Sequence, residues 1–300
     1  MAKTEFEEPE YEGPLYNQLL NGNLRIWTPG RVFERIIGID SAVFASNSYF
    51  WSLFGHSNPI SGTSLRNYNW GILWRSFQRH FRPFPSYNVN LLVQSKRPDH
   101  RNGINATYAK QGIKGQYWQF HTKKHQQAIL ENLEITLGTD ALVVYACPVF
   151  HKFSDLDYSI SHGQIIENST FVKPSVLTNH NKWVFDTPGT SGLACSKPEF
   201  HEDISFKNMI AKSRETINEK KDFQQNINNL LKVIDNIVEI QDNNPLIKAY
   251  KRRNTNLIKS LEEGLEDQYE KDKTSFEIAI KFLSIKQFFS TINVEWFLIE

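Results

Sequence analysis

The chain has 300 residues, 40% of them hydrophobic and 13% aromatic, which suits a globular protein with a sizeable core and excludes a fibrous or low-complexity one. Its 34 basic and 33 acidic residues nearly cancel, but residues 13 to 130 hold 14 Lys/Arg against three acids, Glu34, Asp40 and Asp99, a local +11 (14 − 3). Cys147 and Cys195 fit neither a metal motif nor a disulfide framework, the acidic start lacks a signal-peptide core, and no membrane-length apolar run occurs, so a cytoplasmic protein is expected.

In chain order, residues 1 to 12 carry five Glu and are expected to form an ordered arm at most. A short helix opens at Leu15 after Pro14. Thr28-Pro29-Gly30 starts a second helix over Arg31 to Ile37, and Ile39 to Ala45 reads as a strand. Residues 46 to 88 form an insertion rich in Asn, Ser, Gly and Trp, in which Trp70, Leu73, Trp74 and Phe77 fall at helical spacing. Asn90 to Ser95 is a strand stopped by Pro98, and Tyr117 to His121 is another. Lys123 to Gly138 is a helix with Ile129, Leu133 and Leu137 on one face, followed by a strand, Ala141 to Ala146, apolar enough to be buried on both faces. Residues 150 to 200 read as irregular. From 201 the period is helical again: Phe223, Ile227, Leu230, Ile234 and Ile237, then Leu257, Leu261 and Leu265. The sum is an α/β domain over 1–200, a mixed sheet flanked by helices, with an all-helical region over 201–300 for assembly or partner docking.

Acids are scarce where bases abound, so Glu34 and Asp40 stand out as ligands for a divalent cation held against a polyanion. Two-residue spacing on a strand puts Gln94 and Lys96 on one face. Phosphodiester hydrolysis uses oxygens on a metal and an amine that offsets charge on the phosphate, and these four residues supply both. The bland alternatives are a helix-end pairing of Glu34 with Arg31 or Arg35, a capping Asp40, and a polar strand end at Gln94 and Lys96. Arg66, Arg75, Arg79, Arg82, Arg97, Arg101, Lys110, Lys114, Lys123 and Lys124 are the expected contacts to a nucleic-acid backbone. His121 and His125 are expected on different elements. Gly189 to Gly192 reads as an ordinary turn, Cys147 as a core residue, and Trp51, Trp70 and Trp74 as core packing.

Glu34, Asp40, Gln94-Ser95-Lys96 and the following Gln-bearing helix resemble the PD-(D/E)XK restriction-endonuclease-like superfamily, in its Mrr-like Gln-x-Lys variant. The resemblance covers about residues 30 to 147 and implies a restriction-endonuclease-like core. It implies an endonuclease that cuts DNA, with RNA an open alternative, using Mg²⁺ or Mn²⁺ held by Glu34, Asp40 and Gln94, with Lys96 orienting water. Gln126 and Gln127 would be accessory. A restriction or anti-phage role is implied, with a homodimer or higher oligomer cutting both strands. Two features depart from the pattern: 54 residues separate Asp40 from Gln94, and Gln94 is a neutral ligand that weakens metal binding. The other expectations are a catalytically inactive nucleic-acid-binding module, and a nuclease-fold subunit of a larger defence complex whose residues 201–300 dock a partner such as an ATPase.

Overall fold

The computed structural model describes residues 3–19, 25–27, 42–44, 89–201, 205–215, 223–264 and 273–299. The expected helix at 31–37 and the insertion with its Trp helix lie outside the described residues. In chain order the elements are α1 (Glu8–Leu19), β1 (Arg25–Trp27), β2 (Ala42–Phe44), β3 (Val89–Ser95), β4 (Asp99–Arg101), α2 (Ala106–Ala109), β5 (Tyr117–His121), α3 (Lys124–Leu137) and β6 (Ala141–Pro148). They continue with α4 (Phe153–Ser161), β7 (Ser169–Val172), β8 (Lys182–Phe185), β9 (Gly192–Ala194), β10 (Glu199–His201) and α5 (Phe206–Glu215). The last are α6 (Phe223–Ile240), α7 (Pro245–Gly264), α8 (Lys273–Thr291) and β11 (Glu295–Ile299). The protein is α/β, as expected.

Two compact units divide the chain: Met1–Ser64, Ser95–Thr122 and Tyr145–Phe206 form the first, and Leu65–Gln94, Lys123–Val144 and Lys207–Glu300 the second. These units do not follow the expected division into 1–200 and 201–300. The helices after 206 share a unit with α3 and with parts of β3 and β6. The physical reason is the α3 stripe: Ile129, Leu130, Leu133 and Leu137 are buried and need apolar partners, and α6 packs on that helix.

In the first unit, α1 starts at Glu8 rather than Leu15, which corrects the reading of the first twelve residues as an arm. The Glu10 carboxylate accepts from the Glu7 N–H at 2.8 Å, one half of a capping box. Tyr11 and Leu15, four apart, are fully buried. Pro14 sits inside the helix, where its missing N–H removes one intrahelical bond. Residues before the helix are tied down too. The Thr4 hydroxyl donates to the Pro98 carbonyl, and the Glu5 N–H donates to the His151 carbonyl at 2.9 Å.

The first unit also holds a five-stranded sheet in the order β10-β9-β8-β5-β4, every neighbouring pair antiparallel. Three of its strands, with α4 and β7, come from the stretch expected to be irregular. Each strand there is three or four residues long, too short for alternation to register in the sequence. Gly192 is required in β9: a Cβ there would lie 2.5 Å from the Trp183 ring and 2.7 Å from the Val184 carbonyl oxygen. Asn105 caps α2, its Oδ1 accepting from Thr107 and Tyr108 N–H at 3.0 and 3.2 Å. Tyr145 to Pro148 of β6 pair antiparallel with β7, and Phe206 at the start of α5 stacks on Phe171 at 3.9 Å.

In the second unit, β3 lies between β11 and β6, and β11 pairs antiparallel with it, Trp296 opposite Leu92. The region after 201 is therefore not all-helical, because its last strand completes a sheet. All eight residues of β6 are buried, the two-faced burial its sequence predicts. Helices α6 and α7 both pack on α8. Asn90, fully buried on β3, is the polar node. Its Oδ1 accepts from Trp296 Nε1 and from Asn226 Nδ2, both at 2.9 Å. Its Nδ2 donates to Asn226 Oδ1 at 2.9 Å and to the Asp140 carbonyl at 3.0 Å.

Replacing Asn90 by Leu leaves the Trp296 indole N–H and the Asn226 amide N–H buried without their acceptor. The expected loss is about 3 kcal/mol of unfolding free energy, since each orphaned group costs roughly 1–3 kcal/mol. A urea titration checks it: the midpoint falls and the slope holds.

Candidate functional site

Gln94 is 1% exposed near the end of β3 in the second unit. Its carboxamide oxygen accepts a hydrogen bond from Gln126 Nε2, which also donates to the Ile292 carbonyl at 2.6 Å. One amide on the first turn of α3 thus fixes Gln94 and holds the turn that leads into β11. Gln127 is buried as well and donates to Glu131 at 2.7 Å. Both glutamines therefore leave solvent, and Gln126 is the one that meets Gln94.

Lys96 belongs to the first unit, where it is 8% exposed. Its backbone N–H donates to the Ala146 carbonyl at 2.8 Å, and its ammonium lies 5.4 Å from the centroid of the Tyr145 ring. A solvated strand end does not hide an ammonium this way, because burial of a charge is costly without compensating partners. Ser95 is fully buried with its hydroxyl 3.1 Å from the Tyr16 hydroxyl, which brings α1 to this strand end.

Helix α1 contributes a carboxylate that the sequence reading assigned to an arm: Glu12 is 5% exposed. Burial pushes the Cys147 thiol well above its ordinary value; Glu8 and Asp99 push it further the same way, and Lys96 pulls it back. These charges surround one buried thiol, which is a core residue with no route to a thiolate. Burial also raises the Tyr11 phenol well up, while its hydroxyl donates to Ser169 Oγ at 2.8 Å. A signal for the carboxylates existed in the sequence. Glu8, Glu12 and Tyr16 recur at four, beside Tyr11 and Leu15.

Glu34, Asp40, Arg75, Arg79 and Arg82 lie outside the described residues. Arg97, expected on a phosphate, donates instead to the Thr4 carbonyl and anchors the N-terminal segment. Arg101 is half-buried on β4, whereas Lys123 and Lys124 are exposed at the start of α3. His121 and His125 do sit on different elements. Among the described residues no group of three or more His, Cys, Asp or Glu side chains is arranged for a metal ion, and no helix is long and apolar enough to cross a membrane. Gln94 is a neutral donor whose oxygen already accepts from Gln126, so the described residues alone do not make a metal centre; Glu34 and Asp40 would have to supply its charge.

A second cluster in the first unit is unusual in its polar accounting. The rings of His100 and His151 stack at 3.8 Å and 7°, with Trp118 at 5.5 Å from His100. Both ring nitrogens of His100, Nδ1 of His151 and Nε1 of Trp118 are buried without a hydrogen-bond partner. Burial, then the neighbouring His151, lower the His100 pKa, and the nearby Gln116 amide offsets part of this without meeting hydrogen-bond geometry.

No protein-family model matches the chain, and no match is found among curated proteins or solved structures.

Because His100 is held neutral in the fold and titrates near 6.5 when unfolded, its contribution is complete above about pH 6.5 and is lost as pH falls through that value toward its lowered folded pKa. Thermal melts from pH 7.5 to 5 are expected to show this loss in the wild type, with a flatter profile in His100→Phe.

Proposed function

We propose that the protein is a metal-dependent endonuclease that hydrolyses phosphodiester bonds of DNA. The observation that carries this reading is the burial of Lys96 at the strand end, its ammonium over Tyr145, in the unit that also buries the Glu12 carboxylate. A buried ammonium is costly as structure and useful as chemistry. The basic composition of residues 13–130 supplies the polyanion preference, and the restriction or antiviral context comes from the family resemblance alone.

Mg²⁺ or Mn²⁺, when bound, supplies positive charge at the scissile phosphate and acidifies a bound water. The residues to hold it are Glu34, Asp40 and Gln94. Gln126 orients the Gln94 amide so that the carbonyl oxygen, rather than the NH₂, is presented on the side its bond defines. Lys96 places its ammonium where charge builds up on the phosphate and orients the attacking water, and the Tyr145 face holds that ammonium in position. Cutting both strands with one such site per chain calls for two copies of the chain.

The neutral Gln94, with its oxygen already accepting from Gln126, favours a second reading: a catalytically silent nucleic-acid-binding module. The two separate in a plasmid-cleavage assay across Mg²⁺ and Mn²⁺. Lys96→Met is expected to cut about 10²–10⁴-fold more slowly while its thermal unfolding stays close to wild type. Cleavage by that variant at the wild-type rate would sink the nuclease assignment. Wild-type protein that shifts DNA and never cuts it would select the silent module.

A further inference from the structure

The amino-acid sequence points to residues 201–300 as an assembly region, but the charge on α7 does not suit a helix buried in a protein interface. This 20-residue helix, about 30 Å long, carries Lys248, Lys251, Arg252, Arg253 and Lys259, with no acid in its first turn and its two acids, Glu262 and Glu263, confined to its last. Lys248, Arg252 and Arg253 are exposed. Lys248 and Arg252, one turn apart, stand about 6 Å from each other along the axis, on the side opposite the buried Ile247 and Tyr250.

The start of this helix is joined to the start of α3 within the second unit. Asn244 caps α7, its Oδ1 accepting from the Leu246 N–H at 3.0 Å, and its Nδ2 donates to the His125 carbonyl at 2.8 Å. Gln241 donates to the Ala128 carbonyl at 3.0 Å. The exposed Lys123 and Lys124 therefore lie at the same junction as Lys248, and α3 also has no acid in its first turn. The carboxylate at this junction, Asp242, is taken up by Lys251 at 2.5 Å, and Lys251 and Lys248 hold it below the usual carboxylate range.

We infer that α7 is a nucleic-acid-binding helix: Lys248 and Arg252 continue the phosphate track begun by Lys123 and Lys124 along the backbone of duplex DNA. An anionic membrane surface fits less well. A helix lying in a membrane interface needs a free apolar face, and that of α7 is spent on α8, where Tyr250 meets Phe288 edge-on at 5.2 Å. An interface core fits poorly too, since such cores are depleted of Lys. The inference rests on the nucleic-acid reading above and assigns it a surface outside the basic segment at 13–130.

The test is binding of a 20-base-pair duplex in EDTA, which removes cleavage, over a series of salt concentrations. The proteins are wild type, Lys248→Ala/Arg252→Ala and the charge-keeping Lys248→Arg/Arg252→Lys. Both α7 positions are exposed, so both variants are expected to fold. Loss of two phosphate contacts lowers the slope of log affinity against log salt by about 2 and the affinity by about 20- to 30-fold at 0.15 M. The charge-keeping variant should bind like wild type. An alanine variant with wild-type affinity and slope overturns the assignment of α7 and leaves the nuclease reading standing. Wild type that binds no duplex overturns both, and binding to anionic vesicles in its place would identify a membrane surface instead.

Discussion

Two buried carboxamides on one strand govern the second unit. Asn90 and Gln94 lie near opposite ends of β3 and are buried, and burial of an amide is tolerable only when its donors and acceptors are met. Their partners come from far along the chain: Asn226 on α6, Trp296 on β11 and Gln126 on α3, which itself bonds to Ile292. A slip of β11 by one residue would turn Trp296 to the other face and break this accounting, so the polar bonds select the register that the apolar strands alone would leave less defined. The helical third of the chain is for this reason part of the core.

The elements most legible in the sequence are those whose burial is one-sided over many residues or total over several. The α3 stripe and the all-apolar β6 are of this kind, and their bounds differ little from the expected ones. The N-terminal helix escaped notice because its composition is acidic and contains Pro14, although Tyr11 and Leu15 mark its buried face. The short strands from 182 to 201 escaped because three or four residues carry no period. β11 reads as the tail of a helical region, since Trp296 and Phe297 suit either structure and only pairing with β3 decides.

The candidate site was legible in part for a similar reason. Strand spacing was enough to single out Gln94 and Lys96, but burial of both could not be inferred from neighbours as polar as Ser95 and Arg97. The role of Gln126 depends on a carbonyl at Ile292, a contact between residues 166 apart that no local pattern encodes. Charge counting found the basic segment but not that one member of it, Arg97, bonds the Thr4 carbonyl. It also passed over α7, where five cations are diluted by Glu262 and Glu263 at its end and by the acids of neighbouring helices in any bulk sum.

The pairing of β3 with β11 has a kinetic side. Glu295 lies opposite Val93, so closing that ladder brings together residues 202 positions apart (295 − 93). During synthesis the strand that bears Gln94 is made early and keeps one edge of backbone N–H and C=O groups open until some two hundred further residues have left the ribosome. At roughly 5–20 residues per second this is a wait of about 10–40 s. Closure of so long a loop is slow and entropically unfavourable until the helices between have formed. In that interval the apolar Leu91, Leu92 and Val93 present an unpaired edge, the template on which aggregates grow. Order of emergence, as much as final stability, thus bears on how much of this protein reaches its native sheet.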